Sequence, residues 1–166
     1  MLNAIVKGLS KVENSLIAAL FAFNLAILFV TVVMRYAFNN PPTWPEEASR
    51  YVMIWIIYLG VSQSIEKNSE IKIDVLTKLI PSKWLETFTS IFAATAGLII
   101  SVFVAVYGLK FTGILMETEQ IAASFPVPMS LIYGIIPVSG VLMGIKYIFR
   151  LGGIIRGLRA GPQVQA

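Results

Sequence analysis

The sequence predicts an all-α membrane protein with four transmembrane helices, cytoplasmic interfacial amphipathic helices, and both termini in the cytoplasm. Three observations predict it. First, 57% of the 166 residues are hydrophobic, 13% are charged, and mean hydropathy is +0.78; soluble domains run at about 45–50% apolar and about 25% charged. Second, no Asp, Glu, Lys or Arg occurs in Asn14 to Met34, Tyr51 to Ile65, Thr87 to Leu109 or Gln120 to Ile145. Crossing about 30 Å of hydrocarbon takes roughly 20 apolar residues as helix, and lipid offers no water to satisfy an open backbone. Third, the basic residues are distributed unevenly. Lys7 and Lys11, then Lys67, Lys72, Lys78 and Lys83, then Lys146, Arg150, Arg156 and Arg159 make ten, against Arg35, Arg50 and Lys110 in the alternate connections. The positive-inside tendency puts the first group in the cytoplasm.

The spans fall near residues 14–34, 46–66, 85–109 and 129–149, the second being reached if Arg50 snorkels. They form one domain over 1–157, with a flexible cytoplasmic tail over 158–166. Residues 1–34 imitate a signal peptide, but the apolar run is long and no small-x-small site follows, so it is read as a true span. The expected location is the bacterial inner membrane, multi-pass. The chain has no Cys and no His. This excludes disulfides, thiol nucleophiles, imidazole acid–base chemistry and the usual soft metal sites. No cofactor and no metal site is expected. The net charge of +4 points to anionic lipid rather than nucleic acid.

Residues 1–13 place Leu2, Ile5, Val6, Leu9 and Val12 near a 3–4 spacing. They form either an amphipathic helix on the inner membrane surface or an extension of the first span. Arg35 ends the first helix, where a cation suits the C-terminal dipole. Asn39-Asn40-Pro41-Pro42 is a turn signal. Thr43 stands at capping-box spacing from Glu46, and Pro45 falls in the first turn. Glu46 and Glu47 precede Arg50 by four and three residues, the favourable order for helical ion pairs.

In the 66–86 connection, Ile73, Leu76, Leu79 and Ile80 share one face of a short helix that Pro81 stops. Lys72, Lys78, Lys83 and Trp84 are its expected membrane-surface anchors; the alternative is a face for a partner's helix. In the 110–128 connection, Phe125-Pro126-Val127-Pro128 forces extended backbone before the last span.

The span interiors carry little chemistry, with no ionisable residue placed deep in any of them. Asn24 is the amide nearest a bilayer centre, and with Ser62, Gln63, Ser64, Thr31, Thr95 and Ser101 it reads as helix–helix glue. Ala93, Gly97, Ser101 and Ala105 repeat every four residues along the third span. Gly140 and Gly144 form a GxxxG on the fourth, and Pro137 should kink that helix near its middle. Four spans without an internal charge look insufficient to move an ion-coupled substrate, so the transport site is expected in a partner.

Val33-Met34-Arg35-Tyr36-Ala37-Phe38, then Trp44-Pro45-Glu46-Glu47-Ala48-Ser49-Arg50-Tyr51, Trp55 and Leu59-Gly60, resemble the small membrane (Q-type) subunit of tripartite ATP-independent periplasmic (TRAP) transporters. Phe125-Pro126-Val127-Pro128-Met129, with Tyr133, Ile136-Pro137-Val138 and Leu142-Met143, resembles the same family's second signature. The likeness covers roughly residues 12–150. One departure is Glu70, which stands before Ile71-Lys72-Ile73-Asp74 where members often have a His. The resemblance implies a sodium-coupled secondary transporter for organic acids of the C4-dicarboxylate or sialic acid class. A periplasmic binding protein delivers substrate and a large many-span subunit carries it as an elevator. The small subunit would enlarge the static scaffold and help dock the binding protein, a second role for Arg35, Trp44, Glu46, Glu47 and Arg50.

Two other readings are weighed. A self-sufficient small four-helix transporter acting as an oligomer would need a membrane-embedded carboxylate, for which Glu13 is the nearest candidate. A membrane enzyme could use Glu46 and Glu47, or Glu117 and Glu119, as a carboxylate pair, but no metal-binding set accompanies them. The expectation is that the chain is not an enzyme.

Overall fold

The computed structural model describes residues 2–40, 42–66 and 83–159, with the backbone alone at 2–7, 66, 83–86 and 157–159. Among these residues the chain is helical, running through α1 (Leu2–Ala37), α2 (Trp44–Glu66), α3 (Lys83–Glu117), α4 (Met129–Tyr133) and α5 (Ile135–Arg159). The expected short helix around residues 73–80 lies outside the described residues.

The helices overrun the spans expected from the sequence. α1 is continuous from Leu2, so residues 2–13 are its first turns, and the extension reading describes them better than a separate surface helix. α3 runs past Lys110 to Glu117. A single charge does not stop a helix, and Lys110 lies over the Tyr107 ring at 5.6 Å. Chain reversals do stop helices. Asn39 and Glu119 adopt left-handed backbone, with φ of 49° and 46°, and Asn accepts that conformation more readily than most residues.

By length and apolar content, three segments can cross a membrane: Gly8–Ala37, Thr87–Glu117 and Met129–Arg156. α2 is not among them. Two Glu and Arg50 occupy its first turns, and Ser62, Gln63 and Ser64 lie near its other end.

The helices pack in a row. α1 lies on α2, α2 on α5, and α5 on α3 in the most extensive contact. α5 therefore sits between two neighbours, while α1 and α3 flank the row. α3 and α5 run antiparallel, and small residues let them approach. A Cβ on Gly140 would stand 2.8 Å from the Ala105 Cα, and one on Gly108 would stand 2.9 Å from the Pro137 nitrogen. A Cβ on Gly144 would meet Ser101 Oγ at 3.3 Å, and one on Gly97 would overlap the Tyr147 ring. Ile65, Ala94, Met143 and Tyr147 form the apolar cluster at one end of this contact.

The expected four-residue stripe is partly redirected. Gly97 and Ser101 are buried in the α3–α5 contact and Ala105 is half-buried there, but Ala93 is exposed and Ala94 is fully buried in its place. A strict four-residue repeat drifts around a helix of 3.6 residues per turn. The buried line instead runs through Ala94, Gly97, Ser101, Gly108, Thr112 and Leu115. The helix expected to kink at Pro137 is interrupted at Gly134, between α4 and α5. Proline has no N–H for the Tyr133 carbonyl and its ring crowds that position, so the helix is interrupted one turn before it.

α1 is inside-out relative to a water-soluble helix. Its buried line is Ser10, Glu13, Asn24, Ile27 and Thr31, while Phe21, Phe23, Leu25, Phe29 and Val30 are each more than half exposed. A polar stripe turned inward and an apolar face turned outward suit hydrocarbon surroundings.

Candidate functional site

Two polar assemblies stand out, one toward each end of the α1–α2 pair. The first gathers the start of α2, the end of α1 and the segment between α3 and α4. Arg35 Nη2 donates to Glu46 Oε1 at 2.7 Å, with side chains 50% and 60% exposed. Trp44 and Arg50 are exposed beside them. The pairing of Glu46 and Glu47 with Arg50, expected from helical spacing, is replaced. Glu46 turns to Arg35 on α1, and Glu47 turns to the 120–129 segment.

That segment is a small hairpin. Ala122 N donates to Val127 O at 2.9 Å, Met129 N donates to Gln120 O at 2.8 Å, and Ile121 bridges to Pro128. The prolines of Phe125-Pro126-Val127-Pro128 keep the backbone extended for this pairing. At its tip, Ala123 N and Ser124 N donate to Glu47 Oε1 and Oε2 at 3.1 and 2.7 Å. Tyr51 Oη also donates to Glu47, and the Tyr51 ring meets Phe125 edge-on at 6.0 Å. One turn further along α2, Trp55 Nε1 donates to Ile132 O at 2.9 Å, beside the Gly134 interruption. The two stretches that carry the family likeness thus meet: Glu47, Tyr51 and Trp55 of the first touch Phe125 of the second and its chain neighbours Ser124 and Ile132.

The second assembly is buried. Lys146 on α5 donates to Glu13 on α1 in an ion pair whose side chains are 2% and 4% exposed. Ser62 on α2 donates to Glu13 Oε1 at 3.0 Å, and its carbonyl accepts from Lys146 Nζ at 3.0 Å. Gln63 Nε2 reaches Ser10 O at 3.5 Å. This corrects the expectation that the spans hold no internal charge. Glu13 precedes the first charge-free stretch and Lys146 directly follows the last, so each looked interfacial. Because α1 continues unbroken through residue 13, Glu13 faces α2 inside the row. The signal was present in Ser10, Glu13, Asn24 and Thr31, whose steps of 3, 11 and 7 residues are close to whole helical turns and set a polar stripe on an apolar helix. It also bears on the self-sufficient transporter reading: Glu13 is buried within the protein, and it is paired with Lys146.

Of the other expected positions, Asn24 lies buried on α1, and its Oδ1 makes no hydrogen bond among the described residues. Lys72 and Lys78 lie outside the described residues. Lys83 and Trp84 open α3, with their backbone alone described.

The family model described as "Tripartite ATP-independent periplasmic transporters, DctQ component" matches residues 24–157. The chain is 29% identical over 149 residues to the sialic acid TRAP transporter permease protein SiaT of Haemophilus influenzae, covering 86% of this chain and 23% of that protein. It is 25% identical over 146 residues to the isethionate TRAP transporter permease protein DctMQ of Oleidesulfovibrio alaskensis, covering 85% and 23%. Over 72 residues it is 29% identical to the C4-dicarboxylate TRAP transporter small permease protein DctQ of Vibrio cholerae, covering 43% and 31%. The chain therefore spans about a quarter of the length of the first two relatives.

Proposed function

Since the chain belongs to the DctQ component family of tripartite ATP-independent periplasmic transporters, we propose that it is the small permease subunit of a sodium-coupled secondary transporter for organic acids. Its substrate belongs to the C4-dicarboxylate or sialic acid class. Relatives named for sialic acid, isethionate and C4-dicarboxylates support a small organic anion as cargo. The chain acts as static scaffold for a large many-span elevator subunit and offers part of the docking surface for a periplasmic binding protein. It is not an enzyme and needs no cofactor.

The carrying observation is how the buried charges are used. Glu13 and Lys146, the buried acidic and basic residues among those described, are committed to each other. An intramembrane ionisable group is by default a transport-site candidate; here the pair joins helices instead. Four spans, both termini in the cytoplasm and an inner-membrane location complete the reading. α2 crosses as well, because 23 residues make a helix of about 34 Å, enough for about 30 Å of hydrocarbon, and its partners α1 and α5 flank it. The outer end then carries Arg35, Trp44, Glu46 and Arg50 as docking groups, with Glu47 acting through the hairpin it holds.

The test is purification of the tagged chain from its native membranes, followed by reconstitution. A large hydrophobic subunit should co-purify. Proteoliposomes holding both, supplied with binding protein and an inward sodium gradient, should accumulate labelled organic acid. Uptake by the small chain alone would sink the scaffold reading and favour the oligomeric small transporter.

A further inference from the structure

We propose that Glu13, Ser62 and Lys146 form a latch that fixes the first helix of the chain to the last, holding α1 against α2 and α5. α1 stands at the edge of the row and has its helix contact with α2. That contact is weakly bonded at the latch end. Gln63 Nε2 reaches the Ser10 carbonyl only at 3.5 Å, near the limit of a hydrogen bond. Ser10 Oγ and Gln63 Oε1 are buried and make no hydrogen bond among the described residues. The strong polar contacts there are those of Glu13 with Lys146 and Ser62, and of Lys146 with the Ser62 carbonyl.

The chemistry makes the latch all-or-none. A buried ion pair adds little over an apolar pair of similar size, but a lone buried charge is strongly unfavourable. Without Lys146, the Glu13 carboxylate is an uncompensated anion between apolar helices, and it must either take up a proton or carry the start of α1 away from α2 to water. Without either charge, α1 can lie down again. The order along the chain adds a second consequence: Glu13 is made first, and its countercharge follows 133 residues later, so α1 is locked only once α5 is in place.

The chain has no Cys, so single reporters can be placed in the full-length protein in membrane vesicles. Ser10→Cys is suited because the Ser10 side chain is buried and its hydroxyl bonds to nothing described; Lys11→Cys, at an exposed neighbour, is the control. A water-soluble maleimide should label Ser10→Cys at least about tenfold more slowly than Lys11→Cys, because labelling waits for local opening. Adding Lys146→Met should speed Ser10→Cys labelling at least about tenfold, and adding Glu13→Gln as well should return it to within about threefold of the start. Unchanged labelling with Lys146→Met, or no recovery in the double variant, overturns the latch. If Lys146→Met prevents accumulation in the membrane, accumulation becomes the readout: recovery on adding Glu13→Gln supports the latch, and equal loss overturns it. The latch rests on the same ion pair that the scaffold reading uses, but its readout is labelling of this chain alone, whereas the scaffold reading is judged separately by co-purification and uptake.

Discussion

Glu47 and Ser124 lie 77 residues apart, yet the Glu47 carboxylate accepts the Ser124 backbone N–H at 2.7 Å and the neighbouring Ala123 N–H at 3.1 Å. One side chain in the first turn of α2 therefore holds the tip of the hairpin between α3 and α4. The hairpin's own bonds close its base, from Gln120 to Met129 and from Ala122 to Val127; Glu47 fixes where its tip points.

Removing that carboxylate should release the tip and leave the helices in place. With Glu47→Ala, a Cys at the buried Ala122 should react with maleimide several-fold, roughly three- to tenfold, faster, as expected where a segment loses its anchoring bonds. Glu46→Ala should leave the Ala122→Cys rate unchanged, because Glu46 pairs with Arg35 instead. Equal acceleration by both variants would mean that the hairpin senses general charge at this end rather than the Glu47 contact.

Arg35 and Glu46 call for a different expectation. Their side chains are 50% and 60% exposed, and such pairs contribute about 0–1 kcal/mol. Arg35→Glu should lower the melting temperature of the purified subunit by no more than about 4 °C while cutting uptake by the assembled transporter. Lys78→Ala should leave uptake near normal. The exchange Arg35→Glu with Glu46→Arg restores the pair but reverses both charges. Continued loss of uptake in the exchanged protein marks these groups as docking contacts; recovery would make the pair purely internal.

The helical class and the approximate positions of the long helices were legible because a charge-free apolar stretch of spanning length is rarely anything but a helix in lipid. The small-residue spacing at Gly140 and Gly144 marked a helix-packing face, but not that α3 would be the helix meeting it. Three features were not read. Ala93 and Ala94 differ by one position, and only the helical drift along α3 decides which is buried. The pairing of Glu13 with Lys146 depends on which way two helices face, and reading each charge against its own apolar stretch hides the polar stripe that joins them. Glu47 was named for the wrong partner for a related reason: spacing reports neighbours within one helix, whereas its hydrogen bonds come from a hairpin 76 and 77 residues away.

Orientation can be checked on the same Cys-free background. The bias of Lys and Arg predicts that Thr43→Cys is labelled by an impermeant maleimide from the periplasmic side of intact cells, and that Lys78→Cys is labelled only after the membrane is opened. The reverse pattern would invert the topology. It would also remove the docking role from Arg35, Trp44, Glu46 and Arg50, because a periplasmic partner could not reach them.

The α3–α5 contact makes an ordered prediction for its glycines. At Gly140 an added Cβ meets the Ala105 backbone, with its Cα at 2.8 Å, and backbone cannot turn aside as a side chain can. Gly140→Ala should therefore push the helices apart and destabilise by about 1–3 kcal/mol, the usual range for overpacking. At Gly144 the nearest atom is Ser101 Oγ at 3.3 Å, a small rotatable group, so Gly144→Ala should change stability by less than about 1 kcal/mol. Gly113 has nothing within 4 Å of the added atom; there alanine should be neutral or stabilise by up to about 1 kcal/mol through helix propensity. Thermal unfolding of the three purified variants in one detergent gives the order. Gly140→Ala melting as high as Gly113→Ala would mean that α3 and α5 do not approach this closely in the membrane.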